Sequence, residues 1–191
     1  RMVRAMRHLP DSAVDEAWNM LATFRRLDRG PMPVELVGLN AGDEIECGRE
    51  YLVVAVPTRH TITSLGFIVY HRRHKLKPEF SELSGPEIRE LKLQGTEITN
   101  EVRVPVFAYT GDTNVAGLDN NPEFFDAKIL VSELTFVAPE HRKEEIRKHG
   151  HMHIDDYRSR ADRFNNELVI AGHLSTRYQS NQVKKMVQRA L

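Results

Sequence analysis

Hydrophobic positions recur at near-helical spacing over residues 11–26, where Val14, Trp18, Leu21, Ala22 and Phe24 mark one face and Asp11 or Ser12 offers an N-cap. The Gly30-Pro31-Met32-Pro33 stretch ends that helix, and residues 35–43 read as a short strand followed by a turn. Residues 51–56 and 62–70 are rich in β-branched and aromatic side chains and flank Pro57-Thr58-Arg59-His60, which predicts two strands paired in one sheet. A Ser84-x-x-Glu87 capping box, Pro86 in the first turn and Gly95 as a stop predict a helix over residues 83–95.

Beyond that helix, apolar runs alternate with polar clusters and helical stretches. Residues 104–109 lead into Thr110-Gly111-Asp112-Thr113, and residues 127–131 lead into Ser132-Glu133-Leu134-Thr135-Phe136. A helix-like stretch over 155–164, a run over 167–171, the cluster Gly172-His173-Leu174-Ser175-Thr176-Arg177-Tyr178 and a closing helix over 181–189 complete the chain. Strands alternating with helices predict an α/β sheet, and the sequence carries no internal repeat or low-complexity segment.

Composition narrows the class. With 191 residues, 40% hydrophobic and 28% charged, the chain fits one substantial domain or part of a larger one. It has no apolar run near the roughly 18 residues a membrane span requires, and an intracellular protein is expected, with cytosol, nucleus and organelle left open. The start at Arg1, without Met or a leader, predicts a fragment. A single Cys47 excludes an intramolecular disulfide and any multi-cysteine zinc site, so a metal would need His, Asp and Glu. Charge balances at 27 against 27, and the basic run His71-Arg72-Arg73-His74-Lys75-Leu76-Lys77 reads first as a solvated loop or turn, and only second as a nucleic-acid contact.

Candidate chemistry gathers where apolar runs end. Ligands of α/β sheets bind beyond the carboxyl ends of strands, and Asp112, Glu133 and His173 each follow such a run. Singly, each has a bland role: a turn cap, a buried ion pair, a satisfied core histidine. Together they predict one pocket. A further segment, Gly150-His151-Met152-His153-Ile154-Asp155-Asp156, sets two imidazoles and two carboxylates close together, either as a metal loop or as a histidine loop that binds no metal.

Four of these clusters, Tyr109-Thr110-Gly111-Asp112-Thr113, Glu133-Leu134-Thr135-Phe136, Gly150-His151-Met152-His153 and Gly172 to Tyr178, resemble in order and spacing the C-terminal half of ribonuclease Z, the tRNA 3′-processing endonuclease of the metallo-β-lactamase superfamily. Upstream, residues 57–67 are similar to that family's H-x-x-x-S-x-G-Y segment, and residues 83–98 to its helix before the Gly-Asp-Thr strand. The resemblance runs from about residue 35 to the C-terminus.

It implies a metallo-β-lactamase-like αββα sandwich, of which residues 1–191 are a partial domain supplying chiefly the C-terminal half. It also implies a zinc-dependent endoribonuclease that cleaves the 3′ trailer of precursor tRNA, commonly as a homodimer. Asp112 would bridge two zinc ions and His173 would ligate one of them. Glu133 would orient His151, which protonates the leaving 3′-oxygen. His60, His153, Arg177 and Tyr178 are candidates for substrate contact or support, a structural hydrogen bond being the first expectation for His153.

The chain also departs from the family pattern. Gly172, Thr176 and Ser132 stand where Thr, Pro and His are common. More seriously, no H-x-H-x-D-H loop precedes Asp112, so this chain alone is expected to bind zinc poorly. The segment from Gly150 to Asp156 is not that loop, because it follows the Gly-Asp-Thr strand and because Asp155 and Asp156 suit the first turn of a helix. Two other readings remain at this stage: a different phosphodiesterase or hydrolase of the same fold, and a non-catalytic tRNA-binding or regulatory subunit.

Overall fold

A computed structural model describes residues 5–28, 34–140 and 143–190. Strand β1 (Ala5–Pro10) crosses over through helix α1 (Val14–Asp28) to pair in parallel with β2 (Val34–Leu39), giving a separate two-stranded sheet. A parallel pair needs such a crossover, and α1 supplies it. The expected helix is present, and on its apolar face Val14 and Leu21 are half-buried while Trp18 is 39% exposed and Phe24 56%. The Gly30-Pro31-Met32-Pro33 stretch lies outside the described residues.

The larger sheet starts with β3 (Glu44–Cys47), β4 (Tyr51–Pro57) and β5 (Leu65–Leu76), joined as antiparallel neighbours. Helix α2 (Gly85–Leu93) follows, begun by the expected box, in which Ser84 donates its backbone N–H to Glu87 Oε2 at 2.8 Å. Strand β6 (Thr99–Tyr109) returns antiparallel to β5. Short helices α3 (Val115–Asp119) and α4 (Glu123–Asp126) lead to β7 (Ile129–Glu133). Helices α5 (Lys143–Lys148) and α6 (Ile154–Arg158) lead to β8 (Leu168–Gly172), and α7 (Ser180–Ala190) closes the chain. The six strands lie in the order β3 to β8, with β6, β7 and β8 parallel.

The period-2 alternation of strands decides where the core sits. Ile68, Ala108 and Leu130 are register partners across β5, β6 and β7, and all are fully buried beneath Leu118, Phe124, Phe125, Met152 and Tyr157. Their strand neighbours point the other way, and on that face Tyr109 is 43% exposed and Ile170 44%.

Two expectations change here. Residues 71–76 of the basic run form the second half of β5 rather than a loop, pairing with residues 99–104 of β6. The strand holds because its polar side chains find partners: Arg72 donates to Glu46 at 3.1 Å, and the His71 ring stacks on Tyr51 at 5.2 Å. The helix expected over 155–164 ends at Arg158, and a separate 3-10 turn forms at Ala161–Arg163. Arg160 breaks the run, with φ −127° and its guanidinium drawn to Asp119 at 2.6 and 2.7 Å.

Candidate active site

The three parallel strands end on one edge, and that edge collects the chemistry. Glu133 is the last residue of β7, His173 follows the last residue of β8, and Asp112 lies three residues beyond the end of β6. Local backbone geometry aims them. Gly111 adopts φ 61°, and a Cβ there would come within 2.8 Å of the Leu65 carbonyl oxygen, so only glycine fits the turn that presents Asp112. His173 itself sits at φ 58°, a left-handed conformation uncommon outside glycine, held by the bond from Leu134 N–H to Gly172 O at 2.8 Å.

His151 arrives from the loop between α5 and α6. Its Nδ1 lies 3.1 Å from Glu133 Oε1, and its ring stacks on His173 at 5.3 Å and meets the edge of His60 at 5.1 Å. Gly150, at φ 81°, allows this approach, since a Cβ would stand 2.6 Å from His60 Cδ2. Nε2 of His173 faces Asp112 Oδ2 at 3.5 Å. Glu133 is buried, with Oε2 accepting the Met152 N–H at 2.9 Å and Oε1 accepting the Thr135 hydroxyl. One atom each of Glu133, His151 and His173 falls within 4.8 Å of the others, a spacing that could hold a metal ion.

No protein-family model matches the chain. It is 35% identical over 181 residues to "tRNase Z TRZ1" of Arabidopsis thaliana, an alignment covering 94% of this chain and 65% of that protein. Among solved structures, the short form of human tRNase Z superposes with a TM-score of 0.54 at 15% identity, over 90% of this chain and 61% of that one. The metallo-β-lactamase fold protein YhfI of Bacillus subtilis gives a TM-score of 0.55 at 12% identity, over 100% of this chain and 61% of that one. The chain is similar to ribonuclease Z along nearly its whole length. Its fold is that of the metallo-β-lactamase proteins, and it spans under two thirds of the length of each of these relatives.

The remaining residues expected near a ribonuclease Z site divide into two groups. His60 joins the imidazole row through His151. His153 turns into the core instead: it is the N-cap of α6, its Nδ1 accepting from Asp155 N–H at 3.2 Å and its Nε2–H donating to Ala138 O at 2.9 Å. Asp156 completes that cap by accepting the His153 backbone N–H at 2.9 Å, so the two acids do begin a helix. The Tyr178 hydroxyl accepts from the N–H groups of Val137 and Ala138 at 3.3 and 3.4 Å and so braces the loop after Glu133. Arg177 is exposed.

Electrostatics set the two groups Glu133 and His151 toward neutrality. Burial pushes the Glu133 carboxyl up to about 8, against the lowering effect of bonds from Thr135 and Met152. Burial also pushes His151 down, helped by the neighbouring His60 and His173. Both shifts disfavour a separated ion pair in the absence of metal, and the two groups titrate as a couple. Below about 8 that couple retains a proton, whichever partner carries it.

Thr135 is the residue that sequence spacing did not single out. Its one hydroxyl contacts Glu133, His151 and His173 together; the Glu133-Leu134-Thr135-Phe136 cluster contained it without giving it a role, and the i, i+2 spacing from Glu133 puts both side chains on one side of an extended segment.

Proposed function

We propose that the protein to which this chain belongs is a zinc-dependent endoribonuclease that hydrolyses the phosphodiester joining the 3′ trailer to precursor tRNA. One observation carries the reading: the Glu133–His151 couple at 3.1 Å adjoins the Asp112–His173 couple at 3.5 Å at one sheet edge. The name carried by the plant relative points to the same substrate.

Asp112 and His173 are the residues that would hold metal. Two donors each about 2.1 Å from a tetrahedral zinc ion stand roughly 3.4 Å apart, and the separation of Nε2 and Oδ2 fits that spacing. The inward atoms of Glu133, His151 and His173 are already joined through Thr135, which favours an ion on the Asp112 side of His173. When bound, zinc polarises a phosphoryl oxygen and acidifies water toward neutral pH. Glu133 and His151 then act on the leaving group: the imidazole presents a proton to the departing 3′-oxygen, and the buried carboxyl resupplies it.

The test is cleavage of precursor tRNA by the full-length protein, run beside a small aryl phosphodiester. Release of the 3′ trailer, lost on chelation and restored by zinc, is the expected result. Turnover of the small diester with intact precursor tRNA would overturn the assignment. Light scattering on the same sample checks the homodimer that belongs to this reading.

A further inference from the structure

A threonine hydroxyl has one hydrogen to donate and lone pairs to accept with. Around Oγ1 of the buried Thr135 stand three partners: Glu133 Oε1, His173 Nδ1 at 2.9 Å and His151 Nδ1 at 3.3 Å. Once ionised, Glu133 can only accept, and in that state the single hydrogen goes to Oε1. Both imidazole nitrogens must then bring their own hydrogens. His151 Nδ1–H has Oε1 itself within 3.1 Å, whereas His173 Nδ1 lies 3.9 Å from that oxygen and has the hydroxyl as its near partner.

We propose that, with Glu133 ionised, Thr135 is a positioning residue that fixes His173 as its Nδ1–H tautomer, leaving Nε2 as the bare donor atom beside Asp112. The backbone holds the arrangement in place. Leu134 N–H donates to Gly172 O at 2.8 Å and Ser175 N–H to Thr135 O at 3.0 Å, so the segments carrying Thr135 and His173 are tied on both sides of the contact. A ring nitrogen that donates outward fixes which nitrogen is left for a metal, and in most metal sites a carboxylate, a carbonyl or water receives that hydrogen. Here a hydroxyl receives it, and the same hydroxyl hands its own hydrogen to the carboxyl of the proton-delivery couple. Thr135 therefore links the two halves of the site, and loss of the hydroxyl should disturb both at once.

The inference deepens the metal-site reading, and its test is made without metal so that the two can fail separately. Imidazole nitrogen NMR is recorded on the full-length protein after chelation, at pH 9, above the value to which burial raises Glu133. The His173 signals are assigned by their loss in His173→Gln. The expected spectrum shows hydrogen on Nδ1 of His173 and none on Nε2. Thr135→Val should transfer the hydrogen chiefly to Nε2, and Thr135→Ser should restore the wild-type pattern. A wild-type spectrum with hydrogen on Nε2 overturns the proposal by itself, whether or not the variants fold. An unchanged tautomer in a folded Thr135→Val protein overturns it equally. A correct tautomer in a protein that cleaves no RNA would instead count against the function and leave the role of Thr135 standing.

Discussion

Nδ1 of His151 lies 3.1 Å from Oε1 of Glu133, with the carboxyl side chain 1% exposed and the imidazole 20% exposed. A charged acid so placed has little water to stabilise it, and this is why its proton is retained far above the usual carboxyl range. In the proposed reaction, this is the proton that the pair would deliver to the leaving oxygen. Replacing either partner, by Glu133→Gln or His151→Asn, is expected to lower single-turnover cleavage by about 10² to 10⁴ fold. The double variant should lose little more than the worse single one, because the two act as a unit. Additive losses would show that they work separately.

The same couple predicts a pH limit. In the metal-free chain its proton is lost as pH rises through about 8, so cleavage by the full-length protein should decline toward alkaline pH. Glu133→Gln should remove the inflection. A rate still rising at pH 9 would contradict proton delivery by this pair.

Stability of the metal-free protein follows from the same shift. The folded value of Glu133, about 8, lies above the ordinary carboxyl value of 4.5. Its contribution is therefore fully present below 4.5 and is lost as pH rises toward 8. Thermal unfolding after chelation should show a midpoint that falls across this window, and Glu133→Gln should flatten the fall.

Asp119 behaves in the opposite sense. Arg160, by a bidentate contact, and then Arg163 hold its carboxyl below the ordinary range. Its contribution is present above the unfolded value of 3.8 and is lost as pH falls through the lowered one. Asp119→Asn should cost about 1.5–3 kcal/mol at neutral pH, and denaturant unfolding should show that cost shrinking as the medium becomes acidic.

Leu130→Ala tests the core. Leu130 is fully buried between the sheet and Phe124 with its neighbours, and truncation should cost about 2–5 kcal/mol. Chemical denaturation measures this; a cost below 1 kcal/mol, taken as roughly the low edge for such sites, would mean that the helices do not cover the sheet as described.

Local patterns made much of this legible. The box from Ser84 to Glu87 and the strand runs at 51–56 and 104–109 depend on neighbours in sequence, and the structure reproduces them. The basic run misled because its charges suggested solvent, whereas pairing with β6 and the Glu46 contact make it a strand. β1 and β3 were invisible for a related reason: a short strand is defined by its partner. The acids after His153 were readable as a helix start, since capping is local.

The residues alone showed the elements with strong local patterns, the polar residues that end each apolar run and the family they resemble. They could do so because periodicity, capping and motif spacing are properties of neighbouring residues. Tertiary structure alone decided that Glu133 and His151 touch, that His153 turns inward and that Thr135 stands among three partners. Those contacts join loops far apart in the chain, and only the parallel registry of β6, β7 and β8 brings them to one edge. Burial there, rather than residue type, sets the protonation on which the proposed chemistry depends.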